Sequence, residues 1–104
     1  MKRIGFRMTI KEGAEEEYLR RHEAVWPEML EALRRAGFRN YSIYRDGLTL
    51  FAYFEADDVS QAATRIVADP VNTRWAAMMR DILVTDSDPA TGFVPALPEM
   101  FHLD

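Results

Sequence analysis

Ile4, Phe6, Met8 and Ile10 alternate with Arg3, Gly5, Arg7 and Thr9, and this period of two predicts a half-buried strand over residues 3–10. From about Ala14 the apolar spacing becomes helical. At 100° per residue, Leu19, Val25, Met29, Leu30 and Leu33 share one side, while Glu16 with Arg20 and Glu17 with Arg21 form two acid-base pairs four apart. Gly37 marks the stop. Pro27 interrupts the run, because proline loses a backbone donor and biases Trp26 away from helical angles, so the helix either kinks there or a new one begins. Residues 39–45 and 48–55 read as two strands joined at Asp46-Gly47, a dipeptide suited to the positive φ of a tight hairpin. Asp57-Asp58 precedes a helical segment that ends near Ala68, and Asp69-Pro70 reads as an N-cap followed by proline in the first helical position. Val71, Trp75, Met78 and Ile82 form the stripe of that second piece. A loop rich in Asp, Ser, Pro and Gly follows Val84, and Glu99–Leu103 reads as a short final strand.

Strand, helix, two hairpin strands, helix, strand is the split β-α-β-β-α-β order of a ferredoxin-like α+β domain, with a four-stranded antiparallel sheet and helices on one face. Residues 1–104 are expected to form a single domain. The hairpin carries Tyr41, Ile43, Leu50 and Phe54 but also Tyr44, Phe51 and Tyr53, so both of its faces are apolar or aromatic. A sheet with one face in water should alternate more cleanly. Two such sheets packed face to face in a homodimer are the simplest cover.

Composition narrows the partners. Thirteen basic and seventeen acidic side chains are interleaved and leave a formal charge of -4, which argues against nucleic acid. Cysteine is absent, which excludes disulfides, a thiol nucleophile and a thiolate metal site. Met1 to Arg7 lacks the apolar run of a signal peptide, and no stretch approaches the roughly 18 apolar residues of a membrane span, so a soluble cytoplasmic protein is expected.

Tyr18, His22 and Trp26 follow one another at intervals of four, which on one helix would stack a phenol, an imidazole and an indole along the apolar face. Imidazole exchanges protons near neutral pH and suits acid-base work, and Tyr18 can hold a hydroxylated ligand or orient the ring. Trp26 and Trp75 offer flat apolar surface for the C–H face of a sugar. The plainer readings stand beside these. A histidine on an apolar stripe is more often a satisfied core residue, Tyr18 and Tyr41 are more often packing residues, and Trp75 beside Met78 and Ile82 has the spacing of a core indole. With His22 and His102 the only imidazoles and Glu15 the nearest carboxylate on the same face, a zinc site is poorly supplied. No phosphate loop or dinucleotide fingerprint is present. Glu28 is suited to the first turn of a helix, or to a pocket carboxylate.

At these residues the sequence resembles the L-rhamnose mutarotase family. Glu17-Tyr18-Leu19-Arg20-Arg21-His22 is similar to the family's E-Y-x-x-R-H segment, and Trp26-Pro27-Glu28 to its W-P-E. The likeness continues through Asn40-Tyr41-Ser42-Ile43-Tyr44, Leu50-Phe51-Ala52 and Arg74-Trp75 to Met100-Phe101-His102-Leu103. The resemblance implies a cofactor-free homodimer, a dimeric α+β barrel, that interconverts the α and β anomers of a 6-deoxy sugar such as L-rhamnose. It also implies His22 as proton donor, with Tyr18, Tyr41 and Trp75 contacting the sugar. Where the family has a second tryptophan this chain has Ala76, and Thr85–Gly92 replaces its usual N-P-D-N-S-P-V stretch. A missing indole widens the pocket or removes a stacking surface, which bears on the identity of the sugar. The same departures motivate the alternative of a non-catalytic sugar-binding module on this scaffold. Another enzyme of the dimeric barrel architecture, such as a cofactor-free oxygenase, rests on fold analogy alone.

Overall fold

The computed structural model describes residues 1–84 and 92–104. Its elements are β1 (Lys2–Ile10), α1 (Glu15–His22), α2 (Pro27–Ala36), β2 (Arg39–Asp46), β3 (Thr49–Ala56), α3 (Val59–Ala68), α4 (Pro70–Met79) and β4 (Leu83–Val84). The strands form one antiparallel sheet in the order β2-β3-β1-β4, the ferredoxin-like order expected from the sequence. Alternation sets the register. Ile4 faces Phe54, Phe6 faces Ala52 and Met8 faces Leu50, so the inward residues of β1 and β3 meet across the ladder. Phe6, Ile10, Leu50 and Phe54 are buried there beneath Met29, Ala32 and Ala36 of α2, Ala62 and Ile66 of α3, and Met79 of α4.

Pro27 begins a new helix. It occupies the first turn of α2, and Trp26 takes the N-cap position with extended angles (φ -57°, ψ 134°), the bias that a following proline imposes. α1 has already ended at His22, so Tyr18 and His22 share a helix while Trp26 stands at the mouth of another. The expected stripe changes too. Leu19 is 62% exposed and Leu30 38%, so neither joins the core, and Arg20 bonds to Glu17, three residues back, in place of Glu16. Gly37 closes α2 in the left-handed region at φ 110°, with its own N–H and that of Phe38 both reaching the Leu33 carbonyl. The expected acidic cap is in place, since Asp69 accepts from the Val71 amide at 2.9 Å, and Asp58 caps α3 by accepting from the Gln61 amide at 3.0 Å. Asp69 also receives Arg35 of α2 at 3.0 Å, which ties α2 to the start of α4.

The hairpin loop is Gly47-Leu48, one residue later than the sequence suggested, because Asp46 still pairs with Thr49. Gly47 takes φ 59°, at the loop position where a type II′ turn requires glycine. The final strand is a correction. β4 is Leu83–Val84, paired with Thr9 and Ile10, and Glu99–Leu103 is not a strand. Two residues are too few to show a period, which is why β4 was hidden inside the expected helix-to-loop transition. The carboxyl-terminal segment nevertheless follows the free edge of β1. The Leu97 amide donates to the Gly5 carbonyl at 2.7 Å, and Arg3 bonds Glu99 at 2.8 Å. Among the described residues no helix is long and apolar enough to cross a membrane.

Phe54 makes the packing testable, since it is fully buried and touches Phe6, Phe38 and Tyr41. Phe54→Ala is expected to lower the free energy of unfolding by about 3–5 kcal/mol, measured by urea denaturation. A loss below about 1 kcal/mol would contradict this core.

Candidate active site

α1 supplies two site residues on one face. Four residues apart, the Tyr18 and His22 rings stack with centroids 4.1 Å apart and planes 19° from parallel. His22 Nδ1 lies 3.0 Å from the main-chain oxygen of Tyr18. A carbonyl can only accept, so Nδ1 carries the proton and, in the neutral ring, Nε2 holds the lone pair. Among the described residues Nε2 has no hydrogen-bond partner. Burial pushes the imidazole pKa below its ordinary value, and the bond to the Tyr18 carbonyl offsets only part of that.

The ring lines a cavity of about 230 Å³ between α1 and the hairpin. Tyr18 and Leu19 stand on the helical side with Glu15 and Glu16, and Ile43, Tyr44, Arg45 and Leu50 on the strand side. This volume is below the ~300–1,000 Å³ of drug-sized sites and is proportionate to a small ligand. A second cavity, of about 380 Å³, lies on the α4 side of α1 between Arg20, Arg21, Ala24, Trp26, Trp75 and Met78. The Trp75 indole stands edge-on to Trp26 at 5.1 Å and to His22 at 5.5 Å. His22 therefore touches the aromatic wall of the second cavity while lining the first.

Tyr41 reaches the interior through an irregularity in β2. Arg39 pairs with Glu55 and Ser42 with Tyr53, so β2 carries one residue more than β3 between those pairs. Asn40 takes up the extra residue at φ 49°, and its side-chain amide donates to Glu55 at 2.6 Å. Tyr41 is thereby carried against Phe38 (5.7 Å) and Phe54 (5.9 Å). Burial, and then the nearby Tyr18 phenol, push its pKa up, and burial does the same for Tyr18. Both phenols stay protonated across the neutral range. Neither has a hydrogen-bond partner for its hydroxyl among the described residues, so both are available as donors.

The residues singled out from the sequence are thus divided. Tyr18 and His22 come together in one cavity, Trp26 and Trp75 in the adjoining one, and Tyr41 joins the aromatic cluster of the core. Ala76 is exposed on α4 and lines neither cavity, and residues 85–91 of the altered loop lie outside the described residues. Glu28 is exposed in the first turn of α2 and lines neither cavity. Sequence reasoning missed Ile43, Arg45 and Met78, although Ile43 shares the inward parity of Tyr41 and signalled itself to that extent. Among the described residues there is no group of three His, Asp or Glu that could hold a metal ion.

Comparison with known proteins identifies the family. The family model described as L-rhamnose mutarotase matches residues 3–103. An L-rhamnose mutarotase of Burkholderia ambifaria (strain MC40-6) is 42% identical over 105 residues, covering 99% of both chains, and one of Oceanobacillus iheyensis is 37% identical over 106 residues, covering 100% of both. The crystal structure of an L-rhamnose mutarotase from Formosa agariphila superposes with a TM-score of 0.81 at 27% identity, covering 100% of each chain. A NIPSNAP domain protein from Burkholderia xenovorans shares the fold alone, with a TM-score of 0.58 at 16% identity. A full-length family match, relatives of this identity and the shared fold establish that the chain belongs to the L-rhamnose mutarotase family.

Proposed function

We propose that this protein is a cytoplasmic sugar mutarotase that interconverts the α and β anomers of L-rhamnose or a related 6-deoxy sugar, with His22 as its acid-base group. The observation that carries the reading is the state of the imidazole. Nδ1 is tied to the Tyr18 carbonyl, Nε2 is unengaged among the described residues, and the ring lines a cavity proportionate to a small ligand. Family membership supplies the substrate class.

The chemistry needs one proton removed from the anomeric hydroxyl and one delivered to the ring oxygen. Both oxygens are bonded to the same carbon, so a single imidazole can reach each in turn. Nε2 takes the proton from the anomeric hydroxyl; the oxygen's electron pair forms the carbonyl, the bond from C1 to the ring oxygen breaks, and that oxygen takes the proton back from Nε2. Rotation about C1–C2 and the reverse sequence give the other anomer. The base is needed first, and the lowered pKa of His22 keeps it neutral for that task at pH 7. Tyr18, in the same cavity and held protonated by burial, donates a hydrogen bond to a sugar oxygen; Tyr41 in the core cluster and Trp75 and Trp26 in the adjoining cavity are the further candidate contacts.

The outer face of the sheet supports a homodimer. Tyr44 and Phe51 are cross-strand partners, 68% and 44% exposed, and Met100, Phe101 and Leu103 of the carboxyl-terminal segment are 80–90% exposed. A second copy would cover this surface. Light scattering at micromolar concentration is expected to give twice the chain mass, and a monomer would contradict the dimer.

NMR saturation transfer between the anomers of L-rhamnose tests the activity. Added protein is expected to accelerate exchange, and His22→Ala to reduce the catalysed rate by about 10²- to 10⁴-fold, the usual contribution of one acid-base group. Saturable sugar binding in calorimetry without faster exchange would replace the enzyme by a non-catalytic sugar-binding module. The pH dependence follows from the sign of the His22 shift. Because the neutral ring acts first and its pKa is lowered, the rate should rise with pH along an acid limb centred below the ordinary imidazole value of about 6.5 and stay level above it. A rate that falls as pH rises through 6 to 8 would assign the resting ring the opposite protonation state.

A further inference from the structure

α1 carries both Tyr18 and His22, yet little holds it. It is eight residues long, Ala14 gives it no side-chain cap, and Tyr18 is its one buried residue. Two turns of helix are marginal without tertiary support. That support comes from Arg21, the residue before His22. Its guanidinium donates through Nε to Glu17 at 3.1 Å, through Nη1 and Nη2 to the two oxygens of Asp81 at 2.9 and 3.1 Å, and through Nη1 to the Met78 carbonyl at 3.0 Å. The Arg21 side chain is only 17% exposed, unlike neighbouring Arg20 at 72%. Met78 lies one turn after Trp75 on α4, and Asp81 lies in the turn between α4 and β4. One planar fork therefore pins the last turn of α1 to the end of the helix that carries Trp75.

We propose that Arg21 is a positioning residue for the anomerisation reaction: by clamping α1 to the α4–β4 corner it fixes the His22 imidazole against Trp75. The proposal rests on the mutarotase reading. Its geometry is specific to arginine, because a lysine ammonium can meet one carboxylate oxygen but cannot span Asp81 with two parallel bonds while also reaching Met78 and Glu17. Misplacing an acid-base group by about 1 Å can cost on the order of 10²-fold in rate, so the loss should fall on turnover more than on sugar affinity.

The experiment compares Arg21→Met, Arg21→Lys and Asp81→Asn with the unmodified protein, using saturation-transfer kinetics with L-rhamnose, calorimetric sugar binding, thermal unfolding, and NMR titration of the His22 ring. Arg21→Met is expected to lower kcat by about 10- to 100-fold with KM changed less than about 3-fold. It should also raise the His22 midpoint toward the ordinary value as the loosened helix admits water. Glu15, Glu16 and Arg45, the charged groups sharing the His22 cavity, are unaltered in all three variants. Arg21→Lys should recover part of kcat. Asp81→Asn, at a side chain 64% exposed and tolerant of change, should move kcat and the midpoint in the same direction by less. Unchanged kcat and midpoint in folded Arg21→Met and Asp81→Asn would overturn the proposal, as would a loss explained wholly by unfolding. If the unmodified protein accelerates no exchange, the mutarotase reading fails by itself, and an unshifted His22 midpoint then separately removes the clamp.

Discussion

The bond from His22 Nδ1 to the main-chain oxygen of Tyr18 is the constraint on which the site depends. It places the proton on one nitrogen, leaves the other basic, and joins the ring to the helix that carries it. A free imidazole would sample both tautomers and several rotamers, and each wrong one would present an N–H where the proposed reaction uses a lone pair. Tyr18 contributes twice, with its backbone as acceptor and its ring as the stacking partner at 4.1 Å. Partial burial supplies the electrostatic half by disfavouring the imidazolium.

The fold arranges the surroundings of that ring by ending elements where the sequence forces an end. Pro27 separates α1 from α2 and turns Trp26 toward Trp75. The extra residue at Asn40 lets Tyr41 pack inward while Ser42 stays in register with Tyr53. Site geometry therefore comes from two interruptions, a proline and a bulge, set in otherwise regular elements. The regular parts supply rigidity: the ladder from Lys2 to Thr9 against Ala56 to Thr49 is continuous, and the aromatic cluster of Phe6, Phe38 and Phe54 lies behind Tyr41.

What the sequence made legible was local. The β1 alternation, the glycine of the hairpin, the acidic cap at Asp69, and the pairing of Tyr18 with His22 four residues on all depend on neighbours within one turn or one ladder step. What stayed hidden depends on distant partners. Leu83–Val84 is a strand only because Thr9 and Ile10 present an open edge, and the terminal segment meets that edge at Gly5 without becoming a strand. Leu19 matched the apolar stripe but stays largely exposed at the edge of the His22 cavity, since a helix of two turns covers too little of the sheet to bury a whole face. The second cavity required α4 to be placed beside α1, a contact sixty residues apart in the chain between Arg21 and Asp81.

The central claim concerns a single atom, Nε2 of His22, and a crystal structure of the protein with a bound 6-deoxy sugar tests it most directly. The anomeric or ring oxygen is expected within about 2.6–3.2 Å of Nε2, or one water away, with Nδ1 still on the Tyr18 carbonyl. An ordered sugar whose C1 oxygens lie beyond that reach, or an imidazole turned so that Nε2 is taken by protein, would contradict it.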